Sequence, residues 1–208
     1  MHSFIRTLVI GFDRHMRRKM NVIEFWDHPD CLIRVRVTQS DHALVVANDV
    51  IPEGDNIIEI HFWNEHVPRI SDSGTDMKWA VRGVRMLMSS FSELARQMDN
   101  NERFQGVKAV GGITPLFFAG DDSSGERIWK RLGFTLTPVK HPLGRFGEFW
   151  ENVYTLLIMW AFNPHSVRNQ RLSSMRRTAF WVTADEFLQL HLKMLVQFAE
   201  VLFFAPLG

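Results

Sequence analysis

Cysteine is almost missing from this chain. Cys31 is the only one in 208 residues, which excludes an internal disulfide framework and any cysteine-rich zinc site and fits a reducing compartment. An excess of one charge sign is missing as well. The formal net charge is +1, so no global field draws nucleic acid and no nucleic-acid partner is expected. The apolar run from Leu156 to Phe162 falls far short of the roughly 20 residues that cross a bilayer. The Gly-x-Ser-x-Gly elbow of many hydrolases does not occur, and neither does His-Glu-x-x-His. His61, Glu65 and His66 lack that spacing and have no second cluster to complete a coordination sphere, so no metal is expected. A secretory leader is not expected either. The basic cluster Arg14, Arg17, Arg18 and Lys19 follows the apolar residues Phe4 to Phe12 instead of preceding them, and no small-residue cleavage site comes after. The chain is therefore expected in the cytoplasm.

What is present describes an ordinary globular domain: 46% apolar and 23% charged residues, enough to bury a self-sufficient core with appended helices. Phe4, Leu8, Phe12 and Met16 recur every four residues among basic ones, which predicts an amphipathic helix ending near Met20. Such a helix either packs on the body or lies on a membrane. "CLIRVRVTQ" alternates Ile33, Val35 and Val37 against Arg34 and Arg36, and the turn residues Ser40 and Asp41 lead into "HALVVA", so these two stretches are expected to form an antiparallel hairpin. "NDVIPEGDN" is expected to be a loop. Thr75 to Met98 carries apolar residues at helical spacing, including the stripe Met77, Val84, Leu87 and Phe91, expected to be buried. "FQGVKAVGGITPLFF" reads as a strand whose Gly111 and Gly112 predict a bulge or a close backbone approach. "AGDDSSG" reads as a loop, "ERIWKRL" as a short helix stopped by a left-handed Gly133, and "FTLTPV" as a strand. Helix follows over "GEFWENVYTLLIMWAF", then the basic polar loop "NPHSVRNQRLSSMRRT" with Arg168, Arg171, Arg176 and Arg177, a short strand "AFWV", and a last helix from Asp185 to Phe204.

The stretch "NIIEIHFWNEHVP", Asn56 to Pro68, is the most informative one. As a strand it places Ile58, Ile60 and Phe62 on one face and Glu59, His61 and Trp63 on the other. One face is core. The other is either a half-solvated surface or a site in which a carboxylate or imidazole takes a proton from an attacking amine or hydroxyl.

The motifs "LIRVRVT", "EIHFWN", "GGITPL", "KRLGF" with Pro138 close behind, and "FWVTADEFL" occur in an order that resembles the YkoP-like domain family. The resemblance covers about Cys31 to Leu188. It implies a domain of uncharacterised role that also occurs attached to polysaccharide deacetylases. The succession strand, long helix, strand, short helix ending "KRLGF", strand is also similar to the central half of the GNAT acyltransferase fold. That likeness implies an acyl group lying in the splay between two neighbouring strands, with acyl-CoA as the expected cofactor. Glu59 or His61 would be the catalytic base, and Trp63 and Asn64 would contact substrate; Arg82 and Arg85 on the long helix are either a solvated face or a grip on cofactor phosphate or an acidic substrate. The chain departs from the GNAT pattern at "RISDSGTDMKW", where Gly74 stands between Asp72 and Asp76 in place of a glycine-rich loop, and at Trp129, which occupies the place of a frequent catalytic tyrosine.

The expected fold is thus an α/β domain: a mixed twisted sheet with a GNAT-like core over residues 31–142, an N-terminal amphipathic helix and linker over 1–30, and a helical C-terminal extension over 143–208 packed on or next to the core. Two functions compete at this stage. One is an acyltransferase that uses acyl-CoA or an acylated carrier on a cell-envelope sugar or lipid. The other is a non-catalytic accessory domain at the membrane surface, whose expected partners are that surface or an envelope enzyme.

Overall fold

In the computed structural model the described residues are 2–72, 74, 76–118, 124–168, 172 and 175–193. The elements in chain order are α1 (His2–Lys19), β1 (Ile33–Gln39), β2 (Leu44–Val46), β3 (Asp49–Ile51), β4 (Asn56–Phe62), α2 (Met77–Asn100), β5 (Ala109–Phe118), α3 (Ser124–Arg131), β6 (Thr135–Pro138), α4 (Gly144–Phe162), β7 (Met175–Thr183) and a helix α5 over 184–193. Five strands make one mixed sheet in the order β1-β4-β5-β7-β6. Only β4 and β5 run parallel. A parallel neighbour needs a crossover, and α2 supplies it.

The expected hairpin between "CLIRVRVTQ" and "HALVVA" does not form. β1 pairs instead with β4, from Ile33 opposite Phe62 to Gln39 opposite Asn56. β2 pairs with β3, a strand inside the segment expected to be a loop. The physical reason is burial. Val35 and Val37 face Ile60 and Ile58 across the β1–β4 ladder and join them in the main core, while Leu44, Val46 and Ile51 pack on the opposite sheet face against Ile57, Ala109, Ala179 and Trp181. Residues 143–208 are likewise more than a helical extension. They contribute β7, an inner strand whose Phe180 and Val182 belong to the main core. β7 starts at Met175, so Arg176 and Arg177 stand in a strand and not in the expected polar loop.

α2 forms close to its expected span, over Met77–Asn100 and not Thr75 to Met98. Asp76 caps it, its carboxylate accepting the Trp79 N–H at 2.7 Å. Leu87 and Phe91 are buried, Val84 is half-buried, but Met77 is 78% exposed. Only the second half of the stripe is buried, since the buried residues of the helix begin at Met86. Phe91 packs in an aromatic cluster with Trp129, Phe134, Phe187 and His191. Gly133 ends the helical turn after α3 at φ 89°, the left-handed stop expected of it. Of the expected loop "AGDDSSG", residues 119–123 lie outside the described residues, and so does the last helix beyond 193.

The expected close approach falls on Gly111. A Cβ there would overlap the Phe180 carbonyl oxygen and come within 2.6 Å of the Trp181 ring. The register shift of β5 lies further on, between Thr114 and Phe117. Among the described residues no helix is long and apolar enough to cross a membrane.

Candidate functional site

Alternation along β4 sends Ile58 and Ile60 to the core under α2 and turns Glu59 and His61 to the opposite face. In the β1–β4 ladder Glu59 stands opposite Arg36, and His61 opposite Arg34. Arg36 Nη1 lies 3.4 Å from Glu59 Oε2, and His61 Nε2 lies 3.9 Å from the same oxygen. The three side chains of this strip are each about 30% exposed, at 31%, 30% and 30%. Ile113, two residues past Gly111 on β5, is also partly open. Toward the start of β4 the strip is bounded by the β2–β3 hairpin packed on Ile57. Toward its end it is bounded by the charges around Arg34.

The electrostatics separate the two candidate bases. Burial, and then the positive charge of Arg36, bring the His61 imidazole down to about 4, so it is neutral at physiological pH. Its Nε2 is buried without a hydrogen-bond partner among the described residues. Burial pushes the Glu59 carboxyl up and Asp41 adds to this, while Arg36 opposes both. A neutral imidazole therefore sits beside a carboxylate that holds its proton more tightly than an exposed one.

Trp63 lies one residue past β4 and is buried. One partner of its ring is the Arg34 guanidinium, 4.3 Å from the centroid, and another is the His66 imidazole, stacked at 4.0 Å and 12°. Asn64 follows in the turn, half-buried. Arg82 and Arg85 are exposed on α2, and that helix packs on the face of the sheet opposite Glu59 and His61. The structure thus brings Glu59 and His61 together and leaves the two arginines on the other side.

A second polar assembly was not visible in the sequence. Arg34 is 3% exposed, and its guanidinium meets Glu24 at 2.8 Å and Glu65 at 3.0 Å. Arg17 of α1 reaches the other Glu65 oxygen at 3.0 Å and Asp13 at 2.9 Å. The Tyr154 hydroxyl of α4 donates to Asp13 at 3.3 Å. Burial works to raise Glu65, but the hydrogen bond from Arg34 and the charges of Arg34 and Arg17 outweigh it and hold the carboxyl below its usual range. This network ties α1 to the sheet and to α4. The signal for it was the alternation that put Arg34 and Arg36 on one face of β1, although the facing acids could not be assigned without the β1–β4 pairing.

The loop from β4 to α2 is also occupied by its own contacts. Asn163, at the end of α4, donates to the Pro68 carbonyl and accepts the Ile70 N–H. Asp72 pairs with Arg168 at 3.6 Å and lies 3.4 Å from His165. Among the described residues no group of three or more acidic, histidine or cysteine side chains is placed to hold a metal.

These features define a mixed α/β domain with a half-buried acid–imidazole strip on one sheet face and an ion-paired helical layer beside it. The chain belongs to the YkoP domain family, whose model matches residues 3–191. No curated protein and no solved structure gives a significant match.

Proposed function

We propose that the strip of Arg36, Glu59 and His61 is the working face of the domain, and that it transfers an acyl group from a carrier-bound donor to a hydroxyl or amine of an envelope sugar or lipid. The observation that carries this reading is the neutral, half-buried His61 imidazole beside Glu59, whose Nε2 is covered in the resting state and has no hydrogen-bond partner among the described residues. The imidazole lies just past the end of the β4–β5 ladder. β4 and β5 share a ladder only over Ile57 to Glu59 and Ala109 to Gly111, while β5 runs on to Phe118. The strand order and the single parallel central pair are similar to the GNAT arrangement, in which the acyl group occupies the splay between two neighbouring strands. In the step, the acceptor oxygen or nitrogen bonds to the acyl carbon as the carbon–sulfur bond breaks, the acceptor's proton passes to His61 Nε2, and the departing carrier thiolate takes that proton back from the imidazolium. A base near 4 is weak, so the Glu59 carboxylate must stabilise the imidazolium as it forms.

Donor chemistry follows from α2. Free N–H groups at a helix start favour a pyrophosphate, but here the Asp76 carboxylate already accepts one of them and adds negative charge. A nucleotide donor gains little at that end, which favours an acylated carrier over acyl-CoA. The same observation supports a second reading, a YkoP accessory domain that keeps the scaffold without catalysis.

Melting curves and turnover separate the two. Acetyl-CoA, a long-chain acyl-CoA, free CoA and an acylated carrier are each offered to wild type and to an E59Q/H61A variant. A donor at about 100 times its dissociation constant adds roughly 2.7 kcal/mol, a rise on the order of 5–10 °C for a domain of this size. Acyl transfer by wild type and none by the variant, with equal donor-induced shifts, supports the enzyme. Absence of any shift or turnover with all four donors leaves the accessory reading in its place.

A further inference from the structure

We propose that the outer faces of α1 and α4 together form a docking surface for an anionic lipid bilayer. This inference does not rest on the acyl-transfer reading. Arg6 Nε donates to the Ala161 carbonyl, and Tyr154 bonds Asp13, so the two helices pair antiparallel. Between them runs an apolar groove of about 320 Å³, with Leu8, Phe12, Trp150 and Leu157 among its walls. Its rim is apolar too and open to solvent: Phe4 is 68% exposed, Leu8 56%, Phe146 67% and Trp150 54%. A contiguous apolar surface of this kind marks an interaction site.

Charge decides what the surface fits. The antiparallel pairing brings the C-terminal turns of α1, with exposed Arg14, Arg18 and Lys19, alongside the first half of α4, with exposed Arg145. The aromatic cluster Phe146, Phe149 and Trp150 stands at that same end. Two of the three carboxylates of the two helices are ion-paired elsewhere, and the third is tied to backbone. Asp13 is buried against Arg17 and Tyr154, Glu151 pairs with Arg177, and Glu148 accepts the His141 backbone N–H. An apolar face with aromatic residues beside a predominantly basic rim fits helices lying in the plane of an anionic membrane surface, rings in the interface and cations at the headgroups. A second copy of the chain would bring the same excess of cations to the contact, against a single carboxylate, Glu148, that is not ion-paired among the described residues.

Co-sedimentation of the full chain with vesicles of phosphatidylcholine alone, and with about one third phosphatidylglycerol, tests the proposal. Binding to the anionic vesicles is expected to exceed binding to the neutral ones by about tenfold or more, and to weaken at about 0.5 M salt. Two variants divide the surface: F149S/W150S removes the aromatic end, and R14Q/R18Q/K19Q removes charge. Both should lose about tenfold or more with circular dichroism unchanged. Hydrogen exchange on wild type provides a test independent of whether the variants fold, with vesicle-induced protection expected in α1 and the first half of α4. Equal or negligible binding to both vesicle types, or protection confined to other elements, overturns the proposal. So does a dimer in sedimentation velocity that F149S/W150S dissociates, because the face is then covered by a second copy.

Discussion

The His61 Nε2 atom stands 3.9 Å from Glu59 Oε2, and the same carboxylate oxygen lies 3.4 Å from Arg36. Acid, base and cation come from two neighbouring strands and meet on one face. The imidazole is held neutral by burial and by Arg36.

His61 should therefore titrate with a midpoint near 4 and not near 6.5. Nuclear magnetic resonance of the labelled ring gives this directly. An Arg36→Gln change should move the midpoint upward, since the Arg36 charge opposes a second positive charge beside it. A midpoint above 6 in wild type would contradict the buried geometry.

His191 makes the fold acid-sensitive. It is fully buried between Phe91 and Phe187, and burial brings it down to about 4, with a hydrogen bond to the Leu132 backbone opposing slightly. A folded-state value below the unfolded one means that the unfolded chain binds more protons between pH 6.5 and 4. Stability is then fully present above about 6.5 and declines as pH falls toward about 4. The loss from this one group should reach about 2–3 kcal/mol by pH 4.5. Urea unfolding of wild type and a His191→Leu variant at pH 7.5 and 4.5 measures it, the variant showing the flatter dependence.

Two glycines should respond to alanine in opposite directions. At Gly111 the added carbon meets the Phe180 carbonyl oxygen and the Trp181 ring, so Gly111→Ala should cost about 3 kcal/mol or more, on the order of 6–12 °C in melting temperature. At Gly83, inside α2, nothing lies within 4 Å. Gly83→Ala should stabilise by about 0.5–1 kcal/mol. Thermal unfolding of the pair tests the packing at the centre of the sheet against an internal control.

Arg34 is buried and joined to Glu24, Glu65 and Trp63. Arg34→Met leaves the Glu65 carboxylate with Arg17 alone and should cost about 3 kcal/mol. Adding Glu65→Gln should cost less than the sum of the two single changes, because the carboxylate left underpaired is then gone. Strict additivity in denaturant unfolding would show that the two side chains are energetically independent.

Periodicity carried much of the fold. The span of α1, the long helix α2, the strands β4 and β5, and the stop at Gly133 all follow from local spacing and from one residue's backbone freedom. The face shared by Glu59 and His61 was legible for the same reason, since alternation is a property of the strand itself. Pairing was not legible. β1 carries the pattern of a hairpin partner for the next strand, but Val35 and Val37 are buried only if β1 lies beside β4, and a choice between two partners is made by the core and not by either strand.

What the sequence determined by itself is therefore local: which residues are helical or extended, which side chains share a face, and which family motifs stand in order. The tertiary structure decided everything that depends on a partner far along the chain. It set Arg36 beside Glu59, put β7 inside the sheet, closed the Asp13, Arg17, Arg34 and Glu65 network, and aligned the apolar faces of α1 and α4. Burial has no value until the covering element is in place, and neither the neutral His61 nor the shared face of two helices 125 or more residues apart is a property of any single segment.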